Sequence, residues 1–345
     1  MREMNMKFAV GMGFDLGMHE VVCYARCAEE SGFSHLAFVD TPAVARDVHV
    51  MMAVAAEHTS HILIGQGVTD PSTIHPLVVA NATASIDELS AGRAFVGIGA
   101  GGPFGKMMKA RPLNEVREAI DFIRTYTAGE DARWRDASIR STWVNRRLPI
   151  YMACNGPNAC RLAGEIADGV MIGGPIDPGV VEWKLELIRD GAAKAGRVLS
   201  DIDVWLTTTI GIDDSKQRAV QRLSSFALTK ARGVYSQLQN PSPENTHLRE
   251  ILTRDEPGMI EELERLFEMY DPYKVESAQN LDDGTVSESV ADMFLLAGTA
   301  REVRERISNL GELGVNRIFT VLPGGVDGVA LMREIAAGVI SHSLA

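Results

Sequence analysis

The chain has 345 residues, 46% hydrophobic and 23% charged, enough to bury a large core as one big β/α barrel or two medium domains. A formal net charge of −12 and a pI near 5.2 exclude a basic nucleic-acid footprint and electrostatic adsorption to anionic membranes. Cys23, Cys27, Cys154 and Cys160 are spaced as neither a secreted disulfide framework nor a zinc ribbon. No stretch reads as an export signal or a membrane span, so a cytoplasmic protein with reduced thiols is expected.

In chain order, short apolar runs predict strands near 7–12, 36–40, 62–67, 94–99, 149–153, 169–173, 203–210 and 316–322, with helices between most pairs. A unit recurs in which a helix ends at glycine and a β-rich run follows: Glu29-Glu30-Ser31-Gly32 before Leu36, Ala163 to Gly169 before Val170, and Leu310 to Gly314 before Arg317. Glycine there is expected to supply the left-handed helix cap, and the apolar run a strand buried on both faces. Strands alternating with helices imply a parallel sheet, and eight of them an α/β fold closed as a TIM (β/α)8 barrel.

A single domain over 1–345 is expected, with an insertion of about 215–297 between the seventh and eighth strands, longer than a crossover helix needs. Pro241-Ser242-Pro243-Glu244-Asn245 and Asp271-Pro272-Tyr273 break the chain around a helical Met259 to Tyr270, and Asp282-Asp283-Gly284 marks a turn. These pieces read as helices and loops over the barrel mouth. The arginine-rich stretch 133–147 reads as a solvated loop.

In a barrel the residues after each strand line one face and carry the chemistry. Here that face comprises Gly11 to Asp15, Asp40-Thr41, Gly67 to Asp70, Gly99 to Gly102, Cys154-Asn155-Gly156, Gly173-Gly174 and Pro323-Gly324-Gly325. Small residues dominate. There is no Ser-His-Asp constellation and no H-E-x-x-H, and His58-Thr59-Ser60-His61 has poor ligand spacing, so no metal is expected. A mouth poor in nucleophiles and rich in glycine suits an enzyme that imports its chemistry in a cofactor, and it points toward a flavin-like ring. Gly97-Ile98-Gly99-Ala100-Gly101-Gly102 lacks the G-x-G-x-x-G spacing of a dinucleotide fold.

Several segments carry a resemblance: Gly67-Val68-Thr69-Asp70-Pro71 through His75-Pro76, Ala84 to Arg93, Gly97 to Gly101, Leu148 to Ala153 with Asn155-Gly156-Pro157, and Ala163 to Gly169. Through them the chain resembles the bacterial luciferase-like superfamily, and within it the deazaflavin (coenzyme F420)-dependent methylene-tetrahydromethanopterin reductases. The resemblance implies a β/α barrel with F420 or FMN across the carboxyl ends of its strands. It implies a non-prolyl cis bond at Gly67-Val68, in a bulge behind the ring formed by Gly67, Val68 and Thr69. It places Asp40 near the ring or substrate as the catalytic candidate, and Gly99, Ala100 and Gly101 along the cofactor tail. Asn155, Gly156 and Pro157 would meet the tail phosphate at a helix N-terminus, with Gly173 and Gly174 completing that side. The Asp87-Glu88-Leu89-Ser90 helix is read as architecture, with Gly92 capping it and Arg93 pairing with an acidic residue.

Two departures stand out. Many deazaflavin relatives follow the aspartate after the second strand with histidine, where this chain has Asp40-Thr41; and relatives of the pterin reductase carry a first-strand glutamate where this chain has Gly11. His19, His49 and His75 are candidate substitutes. The expected activity is hydride transfer between F420 and a small organic substrate, methylene-tetrahydromethanopterin reductase-like. The alternatives are an FMN-dependent monooxygenase and a catalytically silent cofactor binder. A homodimer or higher homo-oligomer is expected, with no nucleic-acid or membrane partner.

Overall fold

The computed structural model describes residues 6–42, 44–101, 110–269 and 285–343. Gly102 and the expected breaks at Asp271-Pro272-Tyr273 and Asp282-Asp283-Gly284 lie outside the described residues. Each of the eight apolar runs forms a strand. These are β1 (Lys7–Gly11), β2 (His35–Phe38), β3 (Leu63–Gln66), β4 (Ala94–Ile98), β7 (Ile150–Cys154), β8 (Gly169–Ile172), β9 (Asp203–Ile212) and β11 (Arg317–Val321). They pair in parallel in that order, β1 with β2, β2 with β3, β3 with β4, β4 with β7, β7 with β8, β8 with β9, β9 with β11 and β11 back to β1. The wall is therefore a closed eight-stranded barrel, wrapped by helices as in a TIM barrel.

The helices that set the site are α2 (Val48–His58), α3 (Pro76–Leu89), α5 (Pro157–Ile166) and α6 (Pro178–Lys194). Between β9 and β11 the chain forms α7 (Lys216–Leu238), α8 (Pro243–Thr253), α9 (Met259–Met269), α10 (Glu288–Phe294) and α11 (Ala300–Leu313). No helix among the described residues is long and apolar enough to cross a membrane.

Local expectations fail in four places. A strand missing from the reading, β10 (Leu295–Gly298), pairs with Thr209–Ile212 of β9 just beyond the residues that pair with β11. The stretch read as a solvated loop begins as an antiparallel hairpin, β5 (Ala132–Trp134) and β6 (Ala137–Ile139), and its Arg146 reaches back to Asp87. Gly169 is no helix cap: α5 ends through an extended Ala167, whereas Gly32 and Gly314 do adopt positive φ. Gly169 is a barrel residue, since a Cβ there would lie 2.4 Å from the Tyr151 ring. Among the described residues Arg93 forms no ion pair with a carboxylate, although the Glu29 charge acts favourably on it. Its guanidinium donates to the carbonyls of Ser90, Thr59, Ile62 and Ala56 and to the Thr59 hydroxyl, each at 2.9 Å, tying the end of α3 to the α2–β3 connection.

The barrel interior is plugged below the mouth by Phe95, Tyr151, Trp205 and Phe319, with Ala9, Ala37 and Met171 between them. His35 lies among these rings, 4.7 Å from Trp205 and 5.4 Å from Phe95 between ring centres. Burial, aided by the Arg317 and Lys7 charges, holds its imidazole well below its ordinary value of 6.5. The unfolded chain therefore binds a proton below pH 6.5 that the folded chain refuses, so stability falls as pH falls through that window, by up to about 1.4 kcal/mol per pH unit. Denaturant midpoints at pH 7 and 5.5 should show this loss, and His35→Phe should flatten it. Equal pH slopes in both proteins would exclude the assignment.

Candidate active site

The mouth of the barrel is shaped by what happens after β3. Gly67 N donates to Phe38 O at 2.8 Å, the Gly67-Val68 peptide is cis, and Thr69 then rejoins the wall beside β4. Thr69 N donates to Gly97 O and Gly99 N to Thr69 O, both at 2.9 Å. Val68 thus projects over β4 and joins the interior cluster together with Ala153 and Val321, all three partly accessible, above the aromatic plug.

The glycines of β4 divide their work in a way that spacing alone did not reveal. A Cβ at Gly97 would come within 1.9 Å of Gln66 O, so this glycine admits the strand-three backbone. A Cβ at Gly101, whose φ is +75°, would lie 2.5 Å from the Asp70 carboxyl group, so that glycine admits the following loop. Gly99 borders the mouth itself: a Cβ there would sit 3.2 Å from Val68 Cγ2 and 3.5 Å from Ala153 Cβ, neighbours that can give a little. Gly67 has no such slack, because a Cβ would stand 2.7 Å from Ala37 Cβ. Gly11, where the resemblance looks for a glutamate, faces Phe319, whose ring would be 2.9 Å from an added Cβ.

Asp40, 5% exposed, follows β2 and accepts a 2.5 Å hydrogen bond from Thr69 Oγ1. Burial raises its carboxyl above the ordinary range, while the Thr69 bond and the nearby His49 pull it down. Asp70 is engaged by its own loop, accepting from Ser72 N at 2.7 Å and Thr73 N at 3.2 Å. Behind Asp40 lies a polar group that the sequence reading missed. Gln66 donates to Thr83 at 2.8 Å, stands 3.4 Å from His49 Nε2, and has a buried Oε1 with no hydrogen-bond partner among the described residues. Of the candidate histidines, His49 is the one whose charge acts on Asp40. His75 instead caps α3 through Leu77 N.

On the other side of the mouth, Asn155 follows β7, Gly156 is the N-cap of α5 and Pro157 its first residue. Among the described residues no side chain caps this helix, and a Cβ on Gly156 would meet nothing within 4 Å. The free N–H groups of such a terminus favour an anion. Asn155 abuts the turn after β8, since a Cβ on Gly173 would lie 2.2 Å from its Oδ1. Gly174 takes φ of +91° and borders Lys184 Nζ, which donates to Gly173 O at 2.5 Å. Lys184 is 2% exposed, and its place in the buried stripe Val180, Val181, Lys184, Leu185 and Ile188 of α6 was a readable signal.

The candidate residues thus fall into two groups. Asp40, Gly67, Val68, Thr69, Gly99, Ala100 and Gly101 lie at the ends of β2, β3 and β4; Asn155, Gly156, Pro157, Gly173 and Gly174 lie at the ends of β7 and β8. Gly99 beside Ala153 joins them, because β4 pairs with β7. Among the described residues no group of three or more His, Cys, Asp or Glu side chains is placed to hold a metal ion.

Comparison with known proteins agrees with this architecture. The chain is 30% identical to 5,10-methylenetetrahydromethanopterin reductase of Archaeoglobus fulgidus, over 97% of this chain and 99% of the relative. It is 29% identical to an F420-dependent glucose-6-phosphate dehydrogenase of Beutenbergia cavernae, over 82% and 94% of the two chains. Its fold superposes on the coenzyme F420-dependent tetrahydromethanopterin reductase of Methanopyrus kandleri with a TM-score of 0.79 and 25% identity, covering 98% and 99%. The model of the luciferase-like monooxygenase family matches residues 6–317, and the chain belongs to that family.

Proposed function

We propose that the protein is an F420-dependent oxidoreductase that moves a hydride between the deazaflavin and a small organic substrate, in the manner of a methylene-tetrahydromethanopterin reductase. The observation that carries this reading is the mouth itself, where Val68 and small residues form a floor beside a buried carboxyl group. End-to-end similarity to relatives named for F420 supports it.

The residues present fit such a cofactor. Val68 would back the ring, Gly99 would leave it room, and the uncapped α5 terminus at Asn155, Gly156 and Pro157 would hold tail phosphate, with Gly173 and Gly174 alongside. When bound, F420 supplies the hydride donor or acceptor at its deazaflavin ring. The protein's part is to hold ring and substrate face to face and to exclude water. Asp40 would take or give a proton at the carboxyl oxygen that Thr69 does not engage, and its raised pKa suits that exchange. The exposed Val50 and Val78 are offered as contacts of a homodimer, to be checked by light scattering.

Fluorescence titration tests the cofactor. The wild type should bind F420, and Gly99→Val should weaken that binding at least about tenfold while costing only about 1–3 kcal/mol of stability through its contact with Val68. Unchanged affinity in the variant would remove Gly99 from the ring site. The same titration with FMN separates the ring systems: tight FMN binding with no F420 binding overturns the reading.

A further inference from the structure

The ladder registers place the floor of the mouth residue by residue. Going round the wall from Thr207, the pairings run to Phe319, Ala9, His35 and Leu63 and meet β9 again eight residues before Thr207, the stagger of a TIM barrel. Inward-pointing side chains therefore stack in layers of four from alternate strands. Ala9, Gly65, Tyr151 and Trp205 form the layer at the level of the aromatic plug. Two residues further along the same strands, toward their carboxyl ends, lie Gly11, Gly67, Ala153 and Thr207.

Three members of that upper layer carry no more than a methyl group, and Thr207 alone brings a hydrogen-bonding side chain. Its inward direction follows from strand alternation, because Trp205 belongs to the interior cluster, Leu206 to the larger core shared with the helices, and Thr207 faces in again. Trp205 below it is fully buried, while Thr207 itself is partly accessible. Among the described residues its hydroxyl has no hydrogen-bond partner, whereas the neighbouring Thr208 and Thr209 hydroxyls donate to Phe294 O and Val321 O.

Between the two layers Ala37, Gly97, Met171 and Phe319 face inward from the other four strands, and none is charged. The Phe319 ring rises under Gly11 and Gly67, 2.9 and 3.2 Å from a Cβ placed on either. Hydrocarbon thus seals the β1–β3 half of the floor and leaves Ala153 and Thr207 open on the other. β3 and β9 stand four strands apart in the closed wall of eight, so Thr207 looks across the barrel at Gly67 and Val68.

We propose that Thr207 determines substrate specificity, its hydroxyl hydrogen-bonding an uncharged polar group, such as a carbonyl, on the end of the substrate that enters the barrel. The proposal deepens the F420 reading and rests on it in one respect: with Val68 behind the ring, the ring's open face and the substrate lie on the β9 side. The floor sets the substrate class. A charged end would leave water for Phe319, Val321 and Ala153 with one hydroxyl to compensate it, which is costly, whereas a neutral carbonyl finds the single bond it needs.

Cyclohexanone tests this, beside methylenecyclohexane, which has the same shape without the oxygen. Affinities for the wild type, Thr207→Val and Thr207→Ser are measured by saturation-transfer NMR, with and without F420. Thr207→Val is expected to weaken cyclohexanone about three- to tenfold, the worth of one neutral hydrogen bond, and to leave methylenecyclohexane unchanged, while Thr207→Ser binds the ketone near-normally. Equal ketone binding by wild type and the valine variant overturns the proposal, as do equal losses for both compounds or no ketone binding by the wild type. Cyclohexanecarboxylate should not displace the ketone, and displacement would overturn the uncharged floor.

Melting temperatures separate recognition from structure. A hydroxyl without an internal partner adds nothing to folding, so Thr207→Val should keep or raise the melting temperature, whereas Thr209→Val, which loses the bond to Val321 O, should lower it. A fall in Thr207→Val matching that in Thr209→Val would make the Thr207 hydroxyl structural and overturn the proposal. Failure of F420 to bind any of the proteins removes the cofactor reading alone, because the cofactor-free titration still decides Thr207.

Discussion

Replacing Asp40 with asparagine is expected to lower the rate of hydride transfer by about 10²- to 10⁴-fold, the range for losing one positioned acid or base. The substitution is nearly isosteric, and an asparagine Oδ1 can still accept the 2.5 Å bond from Thr69 Oγ1. Packing and cofactor affinity should therefore change by no more than about 0.5 kcal/mol. Single-turnover rates with pre-bound F420, beside fluorescence affinities, would separate the two effects. A variant of undiminished rate would strip Asp40 of its role.

Thr69→Val supplies the complementary arm. The Thr69 hydroxyl stabilises the charged carboxylate and so holds the Asp40 pKa down against burial. Without it the pKa rises further, and the limb of the pH–rate profile that reports Asp40 should move to higher pH. A shift to lower pH, or none, would mean that another group sets that limb.

The second large effect is structural. Gly97→Ala places a Cβ 1.9 Å from the Gln66 carbonyl oxygen, and backbone, unlike the end of a side chain, cannot swing aside. The cost should exceed about 3 kcal/mol, above ordinary overpacking, and should be visible as a lowered urea midpoint or as failure to accumulate folded protein. Gly233→Ala is the control. That position lies within α7, an added Cβ meets nothing within 4 Å, and the change should stabilise by about 0.5–1 kcal/mol. If both variants unfolded alike, close approach at Gly97 would not be the reason that it is glycine.

Most of the wall was legible because its strands are apolar on both faces and stop at glycine or a polar residue. β10 also stops at glycine, but nothing marks its start: Phe294 ends α10 and Leu295 begins the strand, with no turn residue between them. The β5–β6 hairpin has strands of three residues, too short to show alternation. The glycines were visible, but not which neighbour needed each one's missing side chain. That depends on long-range register, which pairs β3 with β4 and brings Gln66 O over Gly97 and the Asp70 carboxyl over Gly101.

Side-chain partners were the hardest to foresee. The reading gave Arg93 an acidic partner, as a charge seen in isolation suggests, whereas the fold offers it five acceptors from backbone and a hydroxyl. Lys184 was readable as a charge within an apolar helical stripe. His49 could be named as a candidate, but only tertiary structure chose it over His75.

The pairing of β10 with the far end of β9 has a consequence for how this molecule could diversify. The chain leaves the wall after Ile212 and comes back at Leu295, which is in register with Thr209 on the same strand. The long excursion is therefore staked at both ends to neighbouring points on one post. Its helices could lengthen, shorten or be exchanged without shifting the register of the other seven staves, so new specificities could be tried while the rim formed at the ends of β2, β3, β4, β7 and β8 stays unaltered.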